Sequence, residues 1–323
     1  MTKIHLETFG QGKSIVLVHG WAMHTGIWRE FAKQLAHNYQ VTCIDLPGHG
    51  RSEAIDPFTL ERIGDELVNA IPEQNCCWLG WSLGATVVLD MAARYPGRVS
   101  SLILLAGNPL FPSSGSHFYT HLEVGRNKPV RATARTGVSG KHLANSPETP
   151  PRATRLDGLI PAYILAGNPS FPSSGVGTQT EWPGMEVKLL DDFAEHLNKN
   201  CQATLLRFLS LQVNGLPDHK NLLKALKTAV FECDAPDKNT LQGGLNILKL
   251  ADLRPVLSGL NIPVSVILGG LDTLVPVAVG QKMQQLLPSL ELNIIDRAGH
   301  VPFLSHSRET LEIISGFMDR QCN

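Results

Sequence analysis

The chain has 323 residues, 43% of them hydrophobic and 18% charged, with a formal net charge of −1. That length supports one large domain or two modest ones around a real core, and the composition excludes a disordered or fibrous chain. The charge excludes a global attraction to nucleic acid or anionic membrane. The opening MTKIHLETFGQGKS lacks a charged-then-apolar leader pattern, and no apolar run approaches membrane-spanning length, so a cytoplasmic protein is expected.

Taken in chain order, SIVLVHG (14–20) and YQVTCID (39–45) are short apolar, β-branched runs ending on loop residues, as strands do. Between them GIWREFAKQLAHN repeats Trp28, Phe31 and Leu35 at helical spacing. DLPGHGRS (45–52) begins a glycine pattern with Gly48-His49-Gly50, but the third glycine position is Glu53, so no dinucleotide cofactor is implied. CCWLG is a third strand, ATVVLDMAARY a helix closed by Pro96-Gly97, and VSSLILLAG (99–107) a fourth strand. The six cysteines include the adjacent pair Cys76-Cys77 in that third strand. None has CxxC or Cys/His metal spacing, so reduced thiols and no metal are expected.

Residues 108–180 break the alternation. LAGNPLFPSSG (105–115) recurs as LAGNPSFPSSG (165–175), one substitution apart at an offset of 60 residues. The stretch between the copies is rich in Pro, Gly, Ser, Thr and Arg and has little apolar periodicity. One repeat is no solenoid, and this composition cannot bury enough apolar area to fold. The expectation is an extruded, poorly ordered loop left by partial duplication; a regulatory segment is the alternative.

Residues 181–255 then read as successive helices, MEVKLLDDFAEHLNKN, QATLLRFLSLQ, HKNLLKALKTAVFEC and NTLQGGLNILKLAD. Towards the C-terminus PVSVILGG, AVGQKMQQLL, LELNIID and ETLEIISGFM resume strand–helix order. Such alternation predicts an α/β fold: a mainly parallel, doubly wound sheet built from 1–107 and 256–323, with the helical block as a lid.

The chemistry lies where strands end. Gly80-Trp81-Ser82-Leu83-Gly84 places a serine at a strand-to-helix turn, with the side chains two residues to either side removed. A sharp turn there lifts the hydroxyl above the sheet, close to a helix N-terminus that favours negative charge. A serine hydroxyl needs a base, and the base an acid to orient it. Asp272 in GGLDTLVP and His300 in RAGHVPF each follow a predicted strand, and parallel strand ends converge at one edge. Asp252, Asp296, His306 and His49 are weaker competitors by position. The expected triad is Ser82, Asp272 and His300, with an oxyanion hole from the amides of Leu83 and Trp21. His19 and Gly20 are expected to shape the loop.

With these residues assembled, LVHGW, DLPGHGRS, GWSLGA, GGLDTLVP and AGHVPF together resemble the α/β-hydrolase superfamily over residues 1–107 and 262–320. More narrowly, GWSLGA with EWPGM (181–185), RFLSLQ (207–212) and LQGGLNILKLADLR (241–254) is similar to the pimeloyl-[acyl-carrier protein] methyl ester esterases of biotin synthesis. The resemblance implies a serine carboxylesterase that releases methanol from the ester end of a pimeloyl chain on acyl-carrier protein. It uses no metal or organic cofactor and works as a monomer. Trp21, Ser82, Leu83 and His300 would contact the ester. Phe208 and Gln212, one turn apart on a helix, would face the acyl channel. Arg207, Lys220, Lys224 and Lys227 would dock the acidic carrier. Two departures stand out: Ala203 replaces a basic residue of the family, and the family lacks about 60 residues present here. The alternatives are a broad short-acyl carboxylesterase or a carbon–carbon bond hydrolase on the same triad, and a binding-only copy disrupted by the insertion.

Overall fold

The computed structural model describes residues 2–113 and 182–321. Strands Leu6–Phe9 (β1), Lys13–Val18 (β2), Tyr39–Ile44 (β3), Cys76–Trp81 (β4), Val99–Leu105 (β5), Val264–Gly269 (β6) and Glu291–Ile295 (β7) form one seven-stranded sheet ordered β1-β3-β2-β4-β5-β6-β7. β1 pairs antiparallel with β3, and every other pairing is parallel. Strands covered on both faces must be apolar throughout. This is why β4 and β6 are buried at all six positions and β2 over Ile15–Val18. β1 was not foreseen, since four residues on a partly solvated edge carry too little periodicity to read.

The helices of the sheet layers are Arg29–Leu35 (α1, behind a 3₁₀ turn at Thr25–Trp28), Leu60–Ala70 (α2) and Leu83–Arg94 (α3). α2, also unforeseen, is capped by the Thr59 side chain accepting from Arg62 N–H, and it buries Leu60, Ile63 and Leu67. α3 is buried at every position from Leu83 to Ala92, because it lies between the sheet and further helices. Its one interior acid, Asp90, pairs with Arg94 at 2.8 Å.

Val187–Lys199 (α4), Cys201–Gln212 (α5), His219–Val230 (α6) and Lys238–Leu250 (α7) make the lid. Asn200 and Asp237 cap α5 and α7. Each helix turns an apolar stripe inward, such as Leu190, Phe193 and Leu197 on α4 and Leu222, Leu226 and Val230 on α6. The chain finishes through Arg254–Ser258 (α8), β6, Val277–Leu286 (α9), β7, Pro302–Ser305 (α10) and Ser307–Arg320 (α11).

Several ties among the described residues hold the lid down on the sheet. Trp21 Nε1–H donates to Leu241 O at 2.9 Å. The Arg29 guanidinium forms two parallel bonds of 2.8 Å to the Glu232 carboxylate. Residues 108–113, which composition assigned to the insertion, instead belong to this packed body. Pro112 pairs with Met185 in a parallel bridge, where Met185 N–H donates to Phe111 O and Ser113 N–H to Met185 O, both at 2.8 Å. The predicted loop over 114–180 falls outside the described residues.

Candidate active site

β4 runs into α3 through Ser82, whose backbone sits at φ +56°, ψ −117°. An L-residue adopts that conformation only under constraint. The neighbours impose it. A Cβ on Gly80 would lie 2.2 Å from Gly84 O, and one on Gly84 would lie 2.3 Å from Val18 O. Side chains at either position would push helix and strand apart. The turn is pinned by Ser82 N–H to Leu105 O at 3.0 Å and by Ala85 N–H to Ser82 O at 2.9 Å.

Asp272 follows β6 and His300 follows β7. Ser82 Oγ lies 2.9 Å from His300 Nε2, and His300 Nδ1 lies 2.8 Å from Asp272 Oδ2. A carboxylate only accepts, so Nδ1 carries the ring proton and Nε2 accepts from the serine hydroxyl. The other carboxylate oxygen accepts from the N–H groups of Leu274 at 2.8 Å and Val275 at 3.0 Å. Both ends of the His300 backbone are clamped as well: its N–H donates to Gln212 O at 3.3 Å, and its C=O accepts from Trp81 Nε1–H at 2.8 Å. All three side chains are buried. The competitors lie elsewhere: Asp252 is bound to Arg254, Asp296 is exposed, His306 bonds Ser305, and His49 Nδ1 faces Pro47 O.

The loop after β2 packs against the serine, so close that a Cβ on Gly20 would touch Ser82 Cβ at 3.2 Å. Among the described residues no acceptor faces the N–H of Trp21 or of Leu83, which leaves two buried backbone donors beside the hydroxyl. His19 orients the first of them. Its Nδ1–H donates to Gly20 O at 2.8 Å and its Nε2 accepts from Leu46 N–H at 3.0 Å. Fixing the Gly20 carbonyl fixes the opposite-pointing N–H of the same peptide unit, that of Trp21. Burial pushes the His19 imidazole down to about 3, so the ring stays neutral.

A cavity of about 10 Å³ opens from Ser82 and His300, with walls from Phe111, Met185, Leu190, Phe193, Phe208, Leu245, Leu248 and Leu274. That is room for about one water molecule. Apart from the serine and the histidine the wall is entirely apolar. Trp21, Phe208 and Phe193 stack edge to face at 4.9 Å and 5.9 Å, and the exposed Arg207 guanidinium lies 5.4 Å from the Phe193 ring centre. Phe208 is thus part of the wall, and Gln212 is not. The Gln212 side chain is 1% exposed, and neither amide atom has a hydrogen-bond partner among the described residues. On α6, Lys220 and Lys224 are exposed and Lys227 half-buried. Sequence reasoning missed Phe111, Met185 and Leu274. Phe111 stood in the repeat and Met185 in EWPGM, but neither spacing nor composition says which apolar residue faces a cavity.

A model of the α/β-hydrolase fold family matches residues 13–307. The chain is 33% identical over 315 residues to the pimeloyl-[acyl-carrier protein] methyl ester esterase of Methylococcus capsulatus, covering 98% of each. It is 31% identical over 307 residues to the protein of that name from Nitrosomonas europaea, covering 94% of this chain and 95% of that one. Among solved structures, an esterase from Exiguobacterium antarcticum superposes with a TM-score of 0.71 at 18% identity, covering 98% of this chain and 96% of that one. A bromoperoxidase from Bacillus anthracis gives 0.72 at 18% identity, with coverage of 98% and 96%. At that identity the two structures speak to the fold alone.

Proposed function

The chain belongs to the α/β-hydrolase family, and from that premise we propose that it is a serine carboxylesterase hydrolysing the methyl ester of pimeloyl-acyl-carrier protein. The observation that carries the reading is the unbroken hydrogen-bond relay from the Ser82 hydroxyl through His300 to Asp272, at 2.9 Å and 2.8 Å. The full-length relatives that share the name narrow it to this ester.

In this mechanism Ser82 Oγ attacks the ester carbonyl while His300 Nε2 takes its proton. Asp272 steadies the resulting imidazolium. Charge on the carbonyl oxygen meets the N–H groups of Trp21 and Leu83, and each such donor contributes roughly 2.7–4 kcal/mol to the transition state. As the tetrahedral species collapses, the C–O bond to the methoxy group breaks and His300 returns the proton, releasing methanol. Water then attacks the Ser82 acyl ester by the same route and frees the carboxylic acid.

The apolar wall containing Phe208 receives the methylene chain. Gln212 lies outside that wall, its buried amide without a hydrogen-bond partner among the described residues. The closed cavity is too small for a seven-carbon chain, so the lid moves outward to admit substrate. Lys220, Lys224 and Lys227 on α6, with Arg207 on α5, give the acidic carrier a basic landing face. No described helix is long and apolar enough to cross a membrane, and the cysteines among the described residues are free thiols. Both features suit a cytoplasmic reaction.

The test is hydrolysis of pimeloyl-carrier-protein methyl ester beside a short p-nitrophenyl ester. A higher kcat/KM on the carrier substrate supports the reading. A lower one favours a broad short-acyl esterase.

A further inference from the structure

Behind the wall of the cavity beside Ser82 stands a buried side chain that neither lines the cavity nor bonds the triad. Asn108, 3% exposed, stands just beyond β5 where the chain leaves the sheet. Its Oδ1 accepts from Trp182 Nε1–H at 2.9 Å and from Leu110 N–H at 3.1 Å, and its Nδ2–H donates to Pro183 O at 3.2 Å. One amide therefore ties the residues leaving the sheet to those entering the lid. Around it the two segments lie flush. Phe111 and Met185 are bridged through their backbones, and a Cβ on Gly184 would come within 2.2 Å of Phe111 O. From the lid's other end Leu253 N–H donates to Pro109 O at 2.8 Å, and the Arg254 guanidinium sits 5.3 Å from the Trp182 ring centre.

We propose that Asn108 is a positioning residue for acyl-chain selectivity: through Trp182 and Pro183 it fixes Phe111 and Met185 as facing walls of the cavity beside Ser82. The proposal rests on the esterase reading and deepens it. Met185 N–H bonds Phe111 O directly and Met185 pairs with Pro112, so an error in that register moves both walls together. The catalytic side chains follow β4, β6 and β7, and the hydrogen bonds that join them involve neither Asn108 nor Trp182. The knot therefore governs how much apolar chain is gripped and leaves bond cleavage alone. It also links EWPGM to ADLR, since Asn108 holds Trp182 and the Arg254 guanidinium lies over the Trp182 ring.

The experiment is a chain-length series of p-nitrophenyl esters, from acetyl to octanoyl, on the full chain. Asn108→Ala removes the oxygen that accepts from Trp182 Nε1–H and Leu110 N–H. It should lower kcat/KM for the long esters about tenfold, mainly through KM, while acetyl ester kcat stays within about twofold. Asn108→Asp keeps both acceptor bonds and should restore part of the preference. Trp182→Phe, which removes the donor along with part of the buried ring, serves should the alanine variant not fold, and it should blunt the preference likewise. Equal loss at all chain lengths, or an unchanged preference in Asn108→Ala and Trp182→Phe, overturns the proposal. A wild-type chain that turns over no ester in the series would overturn the esterase reading instead.

Discussion

Replacing Asp272 by Asn changes almost no volume and removes one charge, yet the hydrogen bonds around it dictate a large loss of activity. One carboxylate oxygen accepts from Leu274 and Val275 N–H at 2.8 Å and 3.0 Å, and the other from His300 Nδ1 at 2.8 Å. The two backbone donors require an oxygen, so the new side chain's carbonyl must face them. The reverse orientation would leave two buried donors against an NH₂ group, at about 1–3 kcal/mol each. The NH₂ then points at His300 Nδ1 and makes it an acceptor. The ring proton moves to Nε2, where it faces Ser82 Oγ, and His300 can no longer take the hydroxyl proton. Loss of the correct tautomer costs about 10⁴ in kcat, or about 5.4 kcal/mol at 1.36 kcal/mol per tenfold. Initial rates on p-nitrophenyl acetate measure it, with thermal unfolding alongside to show that the fold survives. A folded Asp272→Asn variant with kcat within about tenfold of wild type would refute the reasoning.

Other parts of the molecule lead to three further outcomes. Burial holds His19 and His49 at about 3, below the ordinary 6.5, so the unfolded chain takes up protons across that interval before the folded one does. Their contribution to stability is whole above about pH 6.5 and is lost as pH falls towards 3. Urea unfolding at a series of pH values should show His49→Gln with a shallower decline than wild type, and identical declines would contradict this. Exchanging Lys220, Lys224 and Lys227 for Glu should reduce kcat/KM on a carrier-protein substrate about tenfold at low salt and leave short esters unchanged; equal effects on both would remove the docking face. Deleting residues 110–169 joins Pro109 to the second repeat copy and supplies Phe171 where Phe111 stood. Ester turnover should persist, and loss of folding would show that the deleted stretch is structural.

The meeting of Ser82, Asp272 and His300 was legible because each follows an apolar strand, and parallel strands deliver their ends to one edge. The glycines of the elbow were legible for a local reason: a Cβ at Gly80 or Gly84 would meet backbone at 2.2 Å or 2.3 Å, which only a missing side chain avoids. What escaped was decided by packing between distant segments. β1 exists because β3 offers it a partner, not because Leu6–Phe9 favours a strand. Residues 108–113 read as loop by their Pro and Ser content, yet Asn108 is held by Trp182, 74 residues further along the chain. Gln212 shows the limit from the other side. Helical spacing placed it on the face of Phe208, and the structure turns only Phe208 into the cavity wall.

Turnover by this mechanism passes through an acyl ester on Ser82. Intact-protein and peptide mass spectrometry after rapid acid quenching of enzyme mixed with a slowly deacylating ester tests it most directly. One acyl group per chain should appear, mapped to Ser82, decaying with the rate of acid release and absent in Ser82→Ala. Turnover without any adduct, or an adduct on another residue that Ser82→Ala retains, would contradict it.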